Sequence, residues 1–126
     1  TSCVCATAET LCKLIFCRIR PFYAPQKTDY ALPGEVYSMP SGHSLRACAL
    51  VFWIVHNPHA KILCNTFGLP ALPVFARRYG MIWAASVGLA RVAVGRHFPL
   101  DCAVGLLLGA AIGLSVERSL ASSALA

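Results

Sequence analysis

Apolar residues fall in long blocks separated by short polar breaks, and four such blocks organise the chain. Residues 1–19 close at Arg20-Pro21, where the proline pushes the residue before it out of helical geometry. Residues 42–57 run from Gly42 through LRACALVFWIVH to Asn57-Pro58, residues 74–95 end at Gly95, and residues 99–119 open on Pro99. At a rise of about 1.5 Å per residue, about 20 apolar residues cross the hydrocarbon of a bilayer. By that measure the last two blocks are long enough to span and the second is marginal. The first, which opens at Thr1 within its own pattern, reads as truncated. The pattern predicts an all-α bundle of membrane helices in one domain, residues 1–126, cut from a longer protein at its N-terminal side.

Two connections differ in character. Residues 21–41 carry four prolines and many polar residues, so they read as loop with room for a short helix. Residues 58–73 are apolar but broken by Gly68, Pro70 and Pro73, which suits a re-entrant or interfacial piece. No internal repeat or low-complexity tract is present.

Composition sharpens the membrane reading. The set AVILMFWYC supplies 57% of residues and charged residues only 13%, with mean hydropathy +0.63, against about a quarter charged in an average soluble domain. The net charge of +6 would suit nucleic acid if spread evenly, but basic and aromatic residues do not interleave as a nucleic-acid surface requires. Instead Lys13, Arg18, Arg20, Arg91 and Arg96 sit at the ends of apolar runs, where cations set orientation or bind an anion. Seven cysteines form no framework. Cys3-x-Cys5 lacks a second Cys/His pair at ligand spacing, so no metal is expected there.

Three short blocks carry charge where an apolar chain should avoid it. In Lys13-x6-Arg20-Pro21, residues seven apart share a helix face, so two cations can close on one dianion; snorkelling cations at a boundary give the same pattern. Pro40-Ser41-Gly42-His43 reads as a loop entering a helix N-terminus, where free N–H groups favour an anion. There Gly42 permits close approach, Ser41 can donate its hydroxyl and His43 is in reach as a proton donor; a plain helix start is the simpler alternative. In Arg91-x5-His97-x3-Asp101, Gly95 ends one helix and Pro99 opens the next. Asp101 can then accept from the ring N–H of His97 and leave the other nitrogen free to attack. A His–Asp pair that only caps a helix is the alternative, although Arg91 and Arg96 beside it are costly in lipid without an anion.

Taken together, these blocks resemble the three signatures of the type 2 phosphatidic acid phosphatase superfamily, K-x6-RP, PSGH and SR-x5-H-x3-D, in that order. One fixed residue differs: Ala90 stands where the family has serine. The resemblance extends from about Lys13 to Ser119, and PSGHSLRA with Arg46 and GLARVAVGRH with Arg96 are similar to the polyisoprenoid (presqualene) diphosphate phosphatase branch. It implies the last four of six membrane helices and a metal-independent lipid phosphatase without a cofactor. In the implied mechanism His97 is the nucleophile, Asp101 orients it and His43 is the acid and base. Lys13, Arg20 and Arg91, helped by Ser41 and Gly42, hold the phosphate, and Arg46 and Arg96 could hold a second one. No metal cage is expected from Asp29, Glu35 and Asp101. Loss of the serine hydroxyl at Ala90 would remove a bond worth about 1.5–3 kcal/mol.

The same anion site also occurs in vanadate-dependent haloperoxidases, which are soluble, and in membrane scaffolds that have lost turnover; a transporter or phosphotransferase of lipid phosphates is a third alternative. The expected partners are a lipid phosphate and the bilayer, with no nucleic acid and with oligomeric state unspecified. Lys61, Arg77, Arg78 and Arg118 lie opposite the catalytic end. Positive-inside bias would make that end cytosolic and the active site lumenal, in the endoplasmic reticulum or another endomembrane.

Overall fold

The computed structural model describes the backbone over residues 2–21 and 36–123 and side chains over 3–21 and 36–116; Asp29, Glu35 and the 22–35 part of the proline-rich connection lie outside it. Five helices occur among the described residues: α1 Ser2–Phe16, α2 Gly42–His56, α3 Pro58–Thr66, α4 Leu72–Ala93 and α5 Pro99–Ser123. The all-α expectation holds.

Helix ends follow local chemistry. Asn57 closes α2 and caps α3, its Oδ1 accepting from His59 N at 2.8 Å, with Pro58 at the first helical position. Gly95, at φ 76°, ends α4 in a Schellman motif: Arg96 N donates to Arg91 O at 3.1 Å and Gly95 N to Val92 O at 2.8 Å. At the start of α5, Asp101 Oδ2 accepts from Phe98 N at 2.8 Å while Asp101 N donates to Phe98 O, a reciprocal cap. The chain therefore turns from α4 into α5 within five residues, and His97 sits in that turn.

One boundary differs from expectation. The first block does not continue as helix to residue 19, because Cys17 turns the chain at φ 44°. Beyond it Ile19 bridges Tyr37 antiparallel, and Ser38 N donates to Arg18 O at 2.7 Å. Arg20 is thus on an extended segment rather than two helical turns above Lys13.

Helix α2 is the centre of the bundle. α5 lies parallel beside it through Gly105, Gly109 and Gly113, one residue in four: a Cβ on Gly109 would come within 2.3 Å of Leu45 O, and one on Gly113 within 2.5 Å of Phe52 Cβ. α4 crosses antiparallel with Ala76, Gly80, Ala84 and Gly88 buried at the same interval. Small residues let backbones meet where apolar solvent gives no drive to associate. The apolar core comprises Ala47, Cys48, Val51 and Ala84, and a second cluster of Cys5, Leu45 and Ala49 between α1, α2 and α5.

Large apolar side chains cover the outside, among them Ile15, Phe16, Val74, Ile82, Trp83, Leu89 and Leu107. Among the described residues one helix is long and apolar enough to cross a membrane, over Pro99–Val116; α2 and α3 pass only as a pair bent by 87°. α4 has the length, 22 residues, but not the apolarity, since Arg77, Arg78 and Arg91 lie within it. Within 58–73, residues 58–66 form α3, a turn follows and α4 begins at Leu72.

Candidate active site

The ends of α1, α2 and α4, the segment around Arg20 and the α4–α5 turn converge on one cavity of about 320 Å³. Its walls are Glu9, Lys13, Arg20, Gly42, His43, Arg46, Arg91, Arg96 and His97. Nine of the residues on three helices and two connections thus share one space, and it contains all five cations expected to meet a phosphate.

Burial divides the site into floor and rim. Lys13 is 2% exposed and His97 3% exposed, whereas His43 and Arg46, three residues apart on one face of α2, are exposed. Arg91 projects from the last turn of α4, and its Nε is buried without a hydrogen-bond partner among the described residues. A buried guanidinium N–H left unsatisfied is unusual, and here it belongs to a wall that carries five cations against one carboxylate. Arg20 Nη1 donates to the carbonyl of Arg96 at 3.0 Å, which fastens the extended segment to the His97 turn.

His97 is oriented differently from expectation. Its Nδ1 donates to the carbonyl of Ser38 at 2.8 Å, while Asp101 Oδ2 stands 3.9 Å away, beyond hydrogen-bond range. Asp101 is fully buried and its oxygens are taken: one by Phe98 N in the helix cap, the other by Arg18 Nη1 at 3.0 Å. The expected Asp101–His97 hydrogen bond is therefore not made, and Asp101 acts on the ring through space. With Nδ1–H committed to Ser38, Nε2 carries the lone pair. Burial, and then the charge of Arg20, pull the His97 pKa down to about 4, against the opposing Ser38 hydrogen bond and Asp101. The ring is neutral at physiological pH.

Ser41 is brought to the site but not onto its wall. It is fully buried at the N-cap of α2, its N–H donates to Asp101 O at 2.9 Å, and its Oγ accepts from Ser44 Oγ at 3.2 Å. Its hydroxyl sits behind the cavity, so the second block is welded to the third through its backbone. Ala90 lies on an exposed face of α4 and is not among the cavity's wall residues.

Three participants escaped the sequence reading. Ser38 supplies the carbonyl that fixes the His97 tautomer, a backbone role that no side-chain pattern encodes. Arg18 pairs with Asp101 and stacks over Phe98, 4.5 Å from the ring centroid; its presence as a third cation near Arg20 was the available signal. Glu9 lines the cavity and pairs with Lys13 Nζ at 2.5 Å and with Arg46; a lone acid four residues before Lys13 in an apolar helix could have revealed it. No cluster of three or more His, Cys, Asp or Glu among the described residues is arranged to hold a metal.

This geometry agrees with the sequence comparisons. The chain is 30% identical over 126 residues to a probable lipid phosphate phosphatase beta of Arabidopsis thaliana, covering 86% of this chain and 57% of the relative. It is 35% identical over 107 residues to an undecaprenyl-diphosphatase of Sulfolobus acidocaldarius, covering 83% of this chain and 45% of the relative. The chain thus spans about half the length of the curated relatives it matches. No solved structure matches it significantly. Residues 1–121 match the PAP2 superfamily, the type 2 phosphatidic acid phosphatases, and with three signature blocks meeting in one cavity the chain belongs to that superfamily.

Proposed function

We propose that this chain is the catalytic core, over residues 1–126, of an integral membrane phosphatase that hydrolyses a phosphate ester or diphosphate of a lipid through a phosphohistidine. The observation that carries the reading is the meeting of Lys13, Arg20, His43, Arg91 and His97 on one cavity. In the first step Nε2 of His97 attacks the terminal phosphorus, the N–P bond forms, and the bond from that phosphorus to the leaving oxygen breaks, which is the lipid oxygen in a monophosphate ester and the bridging oxygen in a diphosphate. His43, at the rim where the leaving group departs, gives that oxygen its proton. In the second step water attacks phosphorus, His43 takes the water's proton, and the P–N bond breaks to free inorganic phosphate and the ring.

Phosphoryl transfer needs positioning and neutralisation of spread negative charge rather than covalent ingenuity. Lys13, Arg20 and Arg91 supply that charge, with the N-terminus of α2 at Gly42 beside them. The positive charge on phosphorylated His97 is stabilised by the Ser38 carbonyl and by the Asp101 carboxylate at 3.9 Å.

The apolar outer faces of α1, α4 and α5 support a multi-pass membrane setting, because soluble proteins rarely expose so much contiguous apolar surface. A substrate whose tail stays in lipid while its head enters the cationic cavity suits that setting. One relative's name refers to lipid phosphates and the other's to an isoprenoid diphosphate. Arg46 and Arg96 on the wall favour the diphosphate head group, and Lys61, Arg77 and Arg78 at the far end favour a lumenal active site in an endomembrane. The side chain of Arg118 lies outside the described residues.

The test is phosphate release in EDTA from farnesyl diphosphate, presqualene diphosphate and phosphatidic acid. Turnover that resists chelation and is blocked by vanadate is expected. Strict dependence on added Mg²⁺ would remove the assignment, and a preference for phosphatidic acid undiminished by Arg46→Ala would remove the diphosphate preference alone.

A further inference from the structure

Glu9 is the acid on the cavity wall, against five cations. It projects from α1 one turn before Lys13 and is 9% exposed. It accepts from Lys13 Nζ at 2.5 Å and from Arg46 Nη2, and it presses against Gly42 so closely that a Cβ there would come within 2.2 Å of its oxygens. The close approach that Gly42 permits is therefore used by the chain's own carboxylate. An ammonium as deeply buried as that of Lys13 needs an anionic partner whether or not a ligand is bound. Glu9 meets that need.

We propose that Glu9 is a built-in competitor for the substrate phosphate. Its carboxylate holds Lys13 and Arg46 in position while the cavity is empty, and an incoming phosphate displaces it from them. Binding is then an exchange of one anion for another rather than a net gain of both ion pairs. The exchange weakens the hold on inorganic phosphate, which is the product, and so favours its departure. Arg20, Arg91 and Arg96 remain to attract the head group while Glu9 is in place. The inference rests on the phosphatase reading for the identity of the ligand, but its geometry is independent of turnover.

The experiment is Glu9→Gln in the full chain in detergent micelles, at fixed ionic strength. Two quantities are read: the inhibition constant of inorganic phosphate against lipid phosphate hydrolysis, and the rise in melting temperature that phosphate produces. Removing the competing charge should lower the inhibition constant about tenfold and enlarge the thermal shift, with the gain in KM rather than kcat. Phosphate binding no tighter than in the wild type would overturn the proposal, because a residue that only props up Lys13 would weaken binding when lost. Should Glu9→Gln not fold, Glu9→Asp keeps the charge but draws it back from Arg46 and Gly42; a fall of a few-fold is expected, and an unchanged constant overturns the idea. If the wild type hydrolyses no lipid phosphate, the phosphatase reading fails, and the thermal shift alone decides the role of Glu9.

Discussion

Helix α2 has two faces that solve opposite problems. Toward α5 it meets Gly105, Gly109 and Gly113, so closely that a methyl group on any of them would strike its backbone or Cβ atoms. Toward α1 and the α4–α5 turn it opens a cavity walled by cations, two histidines and one carboxylate. The seam has no charge and no spare volume, whereas the cavity has both. Their difference shows how a small bundle keeps a site preorganised: beside the glycine seam Ser41 N donates to Asp101 O, and those two residues set the start of α2, which carries His43, and the turn that carries His97. The candidate site sits on the open face and the close packing on the other.

Exchanging damage between the two faces is the sharpest way to test that division. His97→Ala should lower turnover at least about 10⁴-fold, while costing in stability only about 1 kcal/mol for the lost bond to Ser38. Radiolabel trapped as acid-labile phosphate should disappear with it. Near-normal turnover in that variant would end the mechanism.

His43→Ala should cost about 10²–10⁴-fold for a poor leaving group, and far less for an aryl phosphate whose oxygen needs no proton. Equal losses for both substrates would show that His43 is not the acid. Its exposed position at the rim predicts an unchanged melting temperature.

The seam should answer in the opposite sense. Gly109→Leu forces a branched side chain against Leu45 O and should cost more than about 3 kcal/mol, seen as loss of the folded species in detergent. Gly109→Ala should cost about 1–3 kcal/mol, less the helix-propensity gain of about 1 kcal/mol. The kcat of the molecules that remain folded should change little. A Gly109→Ala enzyme that is fully stable yet inactive would break the comparison, because the seam would then belong to the site.

The smallest effect concerns protonation. NMR titration of the His97 ring should place its midpoint at about 4 rather than 6.5, so the ring stays neutral down to mildly acidic pH. The sign for stability follows. The unfolded chain takes up the proton near 6.5 and the folded one near 4, so the stability held above 6.5 is lost progressively as pH falls from 6.5 to 4. A midpoint at 6.5 would mean that the ring is not buried as described.

Much of the site was legible in sequence because its parts are local. Lys13-x6-Arg20-Pro21, Pro40-Ser41-Gly42-His43 and Arg91-x5-His97-x3-Asp101 each fix chemistry and spacing within one stretch of chain, and Gly95 and Pro99 mark the turn between α4 and α5 by backbone preference alone. The apolar blocks determined the all-α bundle, these motifs named Lys13, Arg20, Arg91 and Arg96 among the cavity's cations, and the family resemblance added Arg46. What sequence could not settle depended on partners far along the chain. Asp101 was expected to hold His97, but Arg18, 83 residues away, claims one of its oxygens, and the carbonyl of Ser38 takes the ring instead. Ser41 was expected on the wall, but its N–H is drawn back to Asp101 O. Lys13 and Arg20 were expected on one helix, but pairing of Ile19 with Tyr37 pulls the second out of it. Glu9 reached the cavity because Gly42, 33 residues later, has no side chain to exclude it. A hydrogen-bonding group takes whichever partner the packed helices bring within about 3 Å, and only the assembled bundle decides which partner that is.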